Sequence, residues 1–180
     1  AGHKLYAPKG VCALYVRAGV AMAKFMHGAT HEANRRAGTE NLIGIVGLGA
    51  AASLAARDLE AQAAHLRAMR DRLETGLLAI DPDARVNGHP TQRLPNTLSI
   101  GFRDLNADDL LVELSDRVAA SAGAACHSDQ VTVSSVLQAM GVPLEYARGT
   151  LRFSVGRMTT ADEIDIAIAT VRDALVSLRG

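Results

Sequence analysis

Residues 149–157, Gly-Thr-Leu-Arg-Phe-Ser-Val-Gly-Arg, decide the fold of this 180-residue chain. Apolar and polar residues alternate along this stretch, which is typical of a strand with one buried face. Leu151, Phe153 and Val155 fall on the apolar face, and Arg152 falls on the opposite face. An arginine fixed on a strand can bind a carboxylate through two parallel hydrogen bonds. A salt bridge to an acidic residue of the same domain is the alternative that the spacing leaves open.

Other strand and helix signals lie around this stretch. We predict short strands at residues 85–86, 97–102, 117–121 and 150–155, and helices at residues 106–115, 131–140 and 161–178. Strands that alternate with helices of these lengths predict a small α/β unit. We place the start of this unit near residues 88–93, so that residues 1–88 and 89–180 form two domains.

The first half of the chain is predicted to be helical after an irregular start. Residues 11–17 alternate weakly and predict a strand, and residues 19–38 predict a long irregular segment. Thr39 is predicted to cap a helix that begins at Glu40. Apolar residues at helical spacing then continue to Ile80 with one break, where an Asp-Pro-Asp sequence stops the helix. The glycines near the start of this helical stretch predict that a second helix approaches closely.

Composition excludes several classes of partner and site. Nineteen basic residues balance nineteen acidic ones, so no net charge favours nucleic acid or an acidic membrane surface. The longest uncharged apolar run, residues 42–56, is too short to span a membrane. Cys12 and Cys126 could form one bridge at most, which favours a reducing, cytoplasmic setting. His27 and His31 lack the spacing pattern of a zinc site, and we predict that no metal is bound.

One of the two cysteines lies in a setting that suits chemistry. Residues 120–129 read Ala-Ser-Ala-Gly-Ala-Ala-Cys-His-Ser-Asp, and the small side chains around Cys126 would leave its sulfur uncrowded. Ser128 and Asp129 predict the N-cap of a helix that begins near Val131. A helix N-terminus favours the thiolate form of a nearby thiol. The local sequence by itself favours the alternative, a small turn with a buried cysteine.

Two stretches in the first half could also carry chemistry. Residues 2–10, Gly-His-Lys-Leu-Tyr-Ala-Pro-Lys-Gly, place Lys4 beside His3. A lysine held near apolar groups can act as an amine nucleophile, whereas most single lysines are solvated loop residues. Residues 36–41, Arg-Ala-Gly-Thr-Glu-Asn, join an arginine and the Thr39 hydroxyl to a helix N-terminus. That combination is either an anion site or an ordinary capped helix start.

Taken together, these stretches resemble motifs of the cysteine desulfurase and selenocysteine lyase family, the class V branch of fold-type I pyridoxal-phosphate enzymes. Residues 2–10 are similar to its His-Lys-x-x-Gly-Pro-Lys-Gly segment, and residues 36–41 to its Arg-x-Gly-Thr-x-Asn helix start. Residues 121–128 resemble its catalytic cysteine loop, and residues 151–160 match its near-terminal strand. The resemblance implies an α/β fold, the C-terminal part of a fold-type I transferase that depends on pyridoxal 5′-phosphate.

The resemblance also implies roles for five residues. Lys4 would form the Schiff base with pyridoxal 5′-phosphate and later move the Cα proton, and His3 would help to hold the cofactor phosphate. Thr39 would reach the phosphate in the partner subunit of a homodimer. Arg152 would bind the substrate carboxylate. Cys126, as a thiolate, would attack the sulfur of L-cysteine, which gives alanine and a persulfide that a sulfur-acceptor protein could receive.

The chain departs from the family pattern at Ala7, where the family has glycine, and at residues 27–32, which replace a Gly-Gly-Gly-Gln-Glu stretch. We expect the chain to be the second half of a longer enzyme. An N-terminal half would then carry the rest of the cofactor pocket and most of the large-domain sheet. Residues 1–88 would complete that large domain, and residues 89–180 would form a small domain. Two alternatives stay open: a selenocysteine lyase, and a non-catalytic fragment without half of the pocket.

Overall fold

The structure, a computed structural model, describes the backbone of residues 1–127 and 130–180 and the side chains of residues 1–123 and 133–180. The chain divides into two compact units, Ala1–Leu59 and Glu60–Gly180. The domain boundary near residue 88 stays a prediction.

The first unit holds one long helix and little other regular structure. It contains a 3₁₀ turn at Gly2–Leu5, a short turn α1 at His31–Asn34 and the helix α2 at Leu42–Arg57. The strand predicted at residues 11–17 is wrong, because these residues have no regular structure. A strand needs a hydrogen-bonded neighbour, and the first unit contains no strand with which this segment could pair.

The glycines of α2 allow a close approach by a loop rather than by a second helix, which corrects the prediction. A Cβ atom at Gly47 would lie 2.8 Å from the ring of Pro8, and one at Gly44 would lie 3.1 Å from the Cβ atom of Val11. Val11 and Ala51 are buried in the same small core. The small residues therefore hold the loop that follows the 3₁₀ turn against α2.

The long helical stretch is interrupted once, as predicted. α2 ends before Asp58, and the helix α3 occupies Leu59–Ile80. The Asp-Pro-Asp sequence follows α3 directly, as the stop signal predicts. No single helix in the described residues is both long and apolar enough to cross a membrane, and α2 and α3 meet that criterion only when they are counted together.

The second unit is built around a four-stranded antiparallel sheet. Its strands are β1 at Arg85–Val86, β2 at Thr97–Gly101, β3 at Ser121–Ala122 and β6 at Thr150–Ser154. They lie in the order β1-β2-β6-β3 across the sheet. A separate hairpin pairs β4 at Ala124–His127 with β5 at Gln130–Val133. After α3, the helices are α4 at Ala107–Leu114, α5 at Ser135–Ala139, α6 at Leu144–Ala147 and α7 at Ala161–Arg179. The expected α/β class is confirmed.

The core of the second unit lies between this sheet and the helices α3, α4 and α7. Its most buried large side chains come from both layers: Leu77, Leu98, Ile100, Phe102, Leu110, Leu114, Leu151 and Val171. Burial of each such side chain stabilises the fold by about 1.5–3 kcal/mol. Since Leu73 and Leu77 belong to α3, this helix packs in the same core as the strands of the second unit.

The strand predicted at residues 117–121 is wrong except at its end. The amides of Arg117 and Val118 donate to the carbonyl of Leu114 at 3.0 and 2.9 Å. These bonds continue the last turn of α4, so only Ser121 and the residue after it remain free to pair with β6.

The helix predicted at residues 131–140 is also wrong over its first half. The chain there forms β5, and α5 begins only at Ser135. Its N-cap is Ser134, whose Oγ accepts a hydrogen bond from the amide of Val136 at 3.2 Å. Ser128 and Asp129, the predicted N-cap, lie outside the described residues.

Candidate functional site

Lys4 lies in a turn whose backbone is held by neighbouring residues. The amide of Gly2 donates to the carbonyl of Val11 at 2.8 Å, and the amide of Ala7 donates to the carbonyl of Gly2 at 3.1 Å. Gly2 is buried, and a Cβ atom there would lie 2.8 Å from the same Val11 oxygen. His3 and Lys4 are exposed, and neither side chain forms a hydrogen bond or ion pair within the described residues. The turn therefore presents a free amine and a free imidazole from a fixed backbone.

Alanine at position 7 is compatible with this turn. The positive φ falls one residue earlier, at Tyr6, where φ is 62°. Ala7 itself is buried in the small core with Val11. The departure from the family's glycine therefore introduces no backbone strain at position 7.

Asn41, and not Thr39 as predicted, caps the helix α2. Its Oδ1 accepts a hydrogen bond from the amide of Gly44 at 3.1 Å, and the helix begins at Leu42. Thr39 lies two residues before the cap and is exposed. Its hydroxyl has no hydrogen-bond partner in the part of the chain that the structure describes, so Thr39 is available to a ligand.

Arg36 binds its own loop. Its Nη1 donates to the carbonyls of Ala37 and Gly38 at 3.1 and 2.6 Å. Its Nη2 lies 3.1 Å from the carboxylate of Glu32. The alternative that residues 36–41 form an anion site stays a prediction.

Arg152 lies on the exposed face of β6, while Leu151 and Phe153 are buried on the other face, as the alternation predicts. Its Nη2 donates to Oγ of Ser121 at 3.2 Å. Among the residues whose side chains are described, no carboxylate forms an ion pair with Arg152. The salt-bridge alternative is therefore not seen there, and most N–H donors of the guanidinium have no partner among those residues.

Cys126 lies in the strand β4, where it is paired with Val131 of β5. The helix that follows begins only at Ser135, so the predicted helix N-terminus next to this cysteine is wrong. The Cys126 side chain lies outside the described residues, and its catalytic role stays a prediction. The other cysteine, Cys12, is exposed and free.

No group of three or more histidine, cysteine or acidic side chains that could hold a metal ion occurs within the described part of the chain.

The sequence did not predict two residues that contribute to the candidate site, Ser121 and Asn41. Ser121 is found only through the register of β3 against β6, whereas an asparagine before a helix is a recognisable cap signal.

The amino-acid sequence matches known proteins over almost the whole chain. The chain is 45% identical over 179 residues to the cysteine desulfurase NifS of Azotobacter vinelandii, an alignment that covers 99% of this chain and 44% of the relative. It is also 45% identical over 179 residues to the cysteine desulfurase IscS of Methanosarcina thermophila, again with 99% and 44% coverage. The chain thus spans less than half the length of these relatives.

Solved structures match the fold as well. A NifS-like protein superposes with a TM-score of 0.86 at 32% identity, over 99% of this chain and 46% of that protein. The cysteine desulfurase CsdA of Escherichia coli, solved in its S-sulfonic acid form, gives a TM-score of 0.71 at 26% identity. The superposition covers 99% of this chain and 45% of that protein. Both agree with the expected C-terminal part of a fold-type I enzyme. Since residues 1–166 also match the family described as aminotransferase class V, the chain belongs to that family.

Proposed function

We propose that this chain is part of a pyridoxal-phosphate-dependent cysteine desulfurase, which converts L-cysteine to L-alanine and takes up the sulfur as a persulfide on Cys126. The observation that carries the proposal is the exposed guanidinium of Arg152, which has no carboxylate partner among the described side chains. An amino-acid substrate offers the carboxylate that this group can bind. The relatives named above are cysteine desulfurases, which favours sulfur over selenium.

The free side chains of the first unit fit pyridoxal 5′-phosphate. The cofactor offers an aldehyde carbon and a phosphate, which need an amine and hydrogen-bond donors. Lys4 carries an exposed amine, and the imidazole of His3 and the hydroxyl of Thr39 can donate to phosphate oxygens. When bound, the cofactor supplies an electron sink that weakens the bonds at Cα of an amino acid.

Arg152 and Lys4 would hold the substrate and move its proton. The guanidinium of Arg152 would bind the substrate carboxylate with two parallel hydrogen bonds, and Ser121 would orient it through Nη2. Nζ of Lys4, the amine that would hold the cofactor, would accept the proton that leaves Cα and return it to Cα when alanine forms. These roles need an arginine on a rigid strand and a lysine on a fixed turn.

Cys126 would carry out the sulfur transfer. Its thiolate sulfur would form a new S–S bond with the substrate sulfur while the C–S bond of the substrate breaks. The electron pair of the C–S bond would stay with the carbon, which takes up a proton and becomes the methyl group of alanine. Atoms and charge balance without an external oxidant, since the sulfur leaves as a persulfide.

The proposal also includes the oligomeric state of the protein, a sulfur acceptor and the cellular compartment. We propose a homodimer in which Thr39 reaches the phosphate held by the partner subunit, and a small domain at residues 89–180 that carries Cys126. An acceptor protein would then take the persulfide sulfur. The exposed, free thiol of Cys12 supports a reducing compartment such as the cytoplasm, because an oxidising one would leave it open to pairing with other thiols.

The test is turnover of the full-length protein with L-cysteine and, separately, with L-selenocysteine, in the presence of a thiol reductant. We expect one alanine for each sulfide released and a higher kcat/KM for L-cysteine. A strong preference for L-selenocysteine would replace the proposal with a lyase function. A protein that forms alanine from neither substrate and shows no pyridoxyl group on Lys4 after borohydride reduction would be non-catalytic.

A further inference from the structure

Lys24 lies at the centre of the loop that leads to Thr39. Its ammonium donates to the carbonyls of Gly28 and Ala29, each at 3.0 Å, and to Oδ1 of Asn34 at 3.1 Å. An ammonium group has three N–H donors, and all three are used in these bonds. Lys24 therefore has no donor left for a ligand and acts on its own loop.

The loop needs support because its backbone lies in an unfavourable region. Glu32, Ala33 and Asn34 have φ angles of 52°, 55° and 64° in succession. Residues with a Cβ atom rarely adopt this left-handed region, and several in a row persist only where surrounding contacts hold them. The bond from Lys24 to Asn34 is one such contact, and the pair between Arg36 and Glu32 is a second.

The same loop is closed at its base just before Thr39. The amide of Ala37 donates to the carbonyl of Met26 at 3.1 Å. A Cβ atom at Gly28 would lie 3.0 Å from the Cβ atom of Ala37, so the two sides of the loop approach closely. Thr39 follows Ala37 by two residues. The position of Thr39 therefore depends on the closed form of the loop.

We propose that Lys24 is a positioning residue: by binding Gly28, Ala29 and Asn34, it holds the loop in the form that presents Thr39 to a phosphate. The role of Thr39 rests on the proposed function, whereas the effect of Lys24 on the loop does not. Since its three donors bind the loop, Lys24 is assigned no contact with a cofactor or substrate. Its influence on binding passes through the backbone between Gly28 and Thr39.

The first experiment measures amide hydrogen exchange of the full-length protein without added cofactor. Lys24→Met removes the ammonium and should speed exchange at residues 28–38 by about tenfold. Asn34→Gly removes one acceptor while glycine readily adopts the observed φ, and it should give a smaller increase. Lys24→Arg keeps the charge and several donors and should restore most of the protection. Arg17→Met, a change at an exposed arginine of the same unit, should have no effect on this segment.

The second experiment titrates the same variants with pyridoxal 5′-phosphate and follows absorbance. Lys24→Met should weaken the affinity by about tenfold, and Lys24→Arg by less. Unchanged exchange in both Lys24→Met and Asn34→Gly would overturn the inference. Faster exchange with unchanged affinity would overturn the link to Thr39. If the unmodified protein binds no cofactor, the proposed function is contradicted. The exchange rates would then still test whether Lys24 stabilises the loop.

Discussion

Arg152 and Ser121 lie directly opposite each other on the antiparallel strands β6 and β3, and Nη2 of Arg152 donates to Oγ of Ser121 at 3.2 Å. A hydroxyl orients the guanidinium without neutralising it, unlike a carboxylate in the same position. Because the backbone ladder fixes both residues, the arginine is prepared for an incoming anion. In the proposed function, this pair would orient Arg152 for the substrate carboxylate.

Replacement of Arg152 with lysine should raise KM for L-cysteine by about 100-fold, because lysine cannot form two parallel hydrogen bonds with a carboxylate. Ser121→Ala should raise KM by only a few fold, since it removes one orienting bond. Steady-state kinetics measures both, and thermal melting checks that the fold is kept. Arg103→Met, a change at an exposed arginine 3.6 Å from the carboxylate of Asp104, is the control. A KM equal to that of the parent in Arg152→Lys would contradict the role of Arg152.

Two glycines of α2 should respond in opposite directions to alanine. Gly49→Ala should stabilise the protein by about 0.5–1 kcal/mol, because its Cβ atom would meet nothing within 4 Å and alanine favours a helix. Gly47→Ala should destabilise it by about 1 kcal/mol, because its Cβ atom would lie 2.8 Å from the ring of Pro8. Urea unfolding of the two variants measures the difference. Equal changes in the free energy of unfolding would mean that Pro8 does not pack on α2.

Arg72 of α3 and Asp165 of α7 should give the protein a pH-dependent stability. Two hydrogen bonds of 2.8 and 2.7 Å from Arg72 lower the pKa of the Asp165 carboxyl below its ordinary value of 3.8. A lowered pKa means that the stabilisation is present above 3.8 and is lost as the pH falls through the pKa of the folded state.

Arg72→Met should therefore lower Tm at neutral pH, and the difference from the parent should shrink in acid well below pH 3.8. The effect is small because both side chains are about half exposed. Arg172→Met, which breaks a pair between neighbours on α7, should lower Tm less, because that pair does not join two helices. A Tm difference that stays constant into acid would contradict the assignment.

Local periodicity predicted the parts of the structure that depend on neighbours in sequence. The alternation around Arg152 placed it on the exposed face of β6, and helical spacing located the end of α3 at Ile80. The segment at residues 11–17 failed because a strand depends on a distant partner, which the first unit lacks. Thr39 is the wrong cap because threonine and asparagine are both good caps, and α2 begins at Leu42, where Asn41 and not Thr39 is the residue that precedes it.

The rest of the candidate site could not be predicted because it depends on tertiary geometry. Lys24 meets acceptors four, five and ten residues further along the chain, a spacing that belongs to no regular element. Ser121 meets Arg152 across 31 residues through the register of two strands. The sequence places Arg36 near a helix N-terminus, where an arginine could bind an anion. In the structure its N–H groups instead bind the nearby carbonyls and Glu32.

Persulfide formation on Cys126 is tested most directly by peptide mass spectrometry of the full-length protein after brief exposure to L-cysteine and alkylation. We expect one additional sulfur atom on the peptide that contains Cys126. It should be absent in Cys126→Ser, which should still bind pyridoxal 5′-phosphate, and present in the matched variant Cys12→Ser. Alanine formation with the additional sulfur on Cys12, or with no additional sulfur on either cysteine, would contradict the proposed role of Cys126.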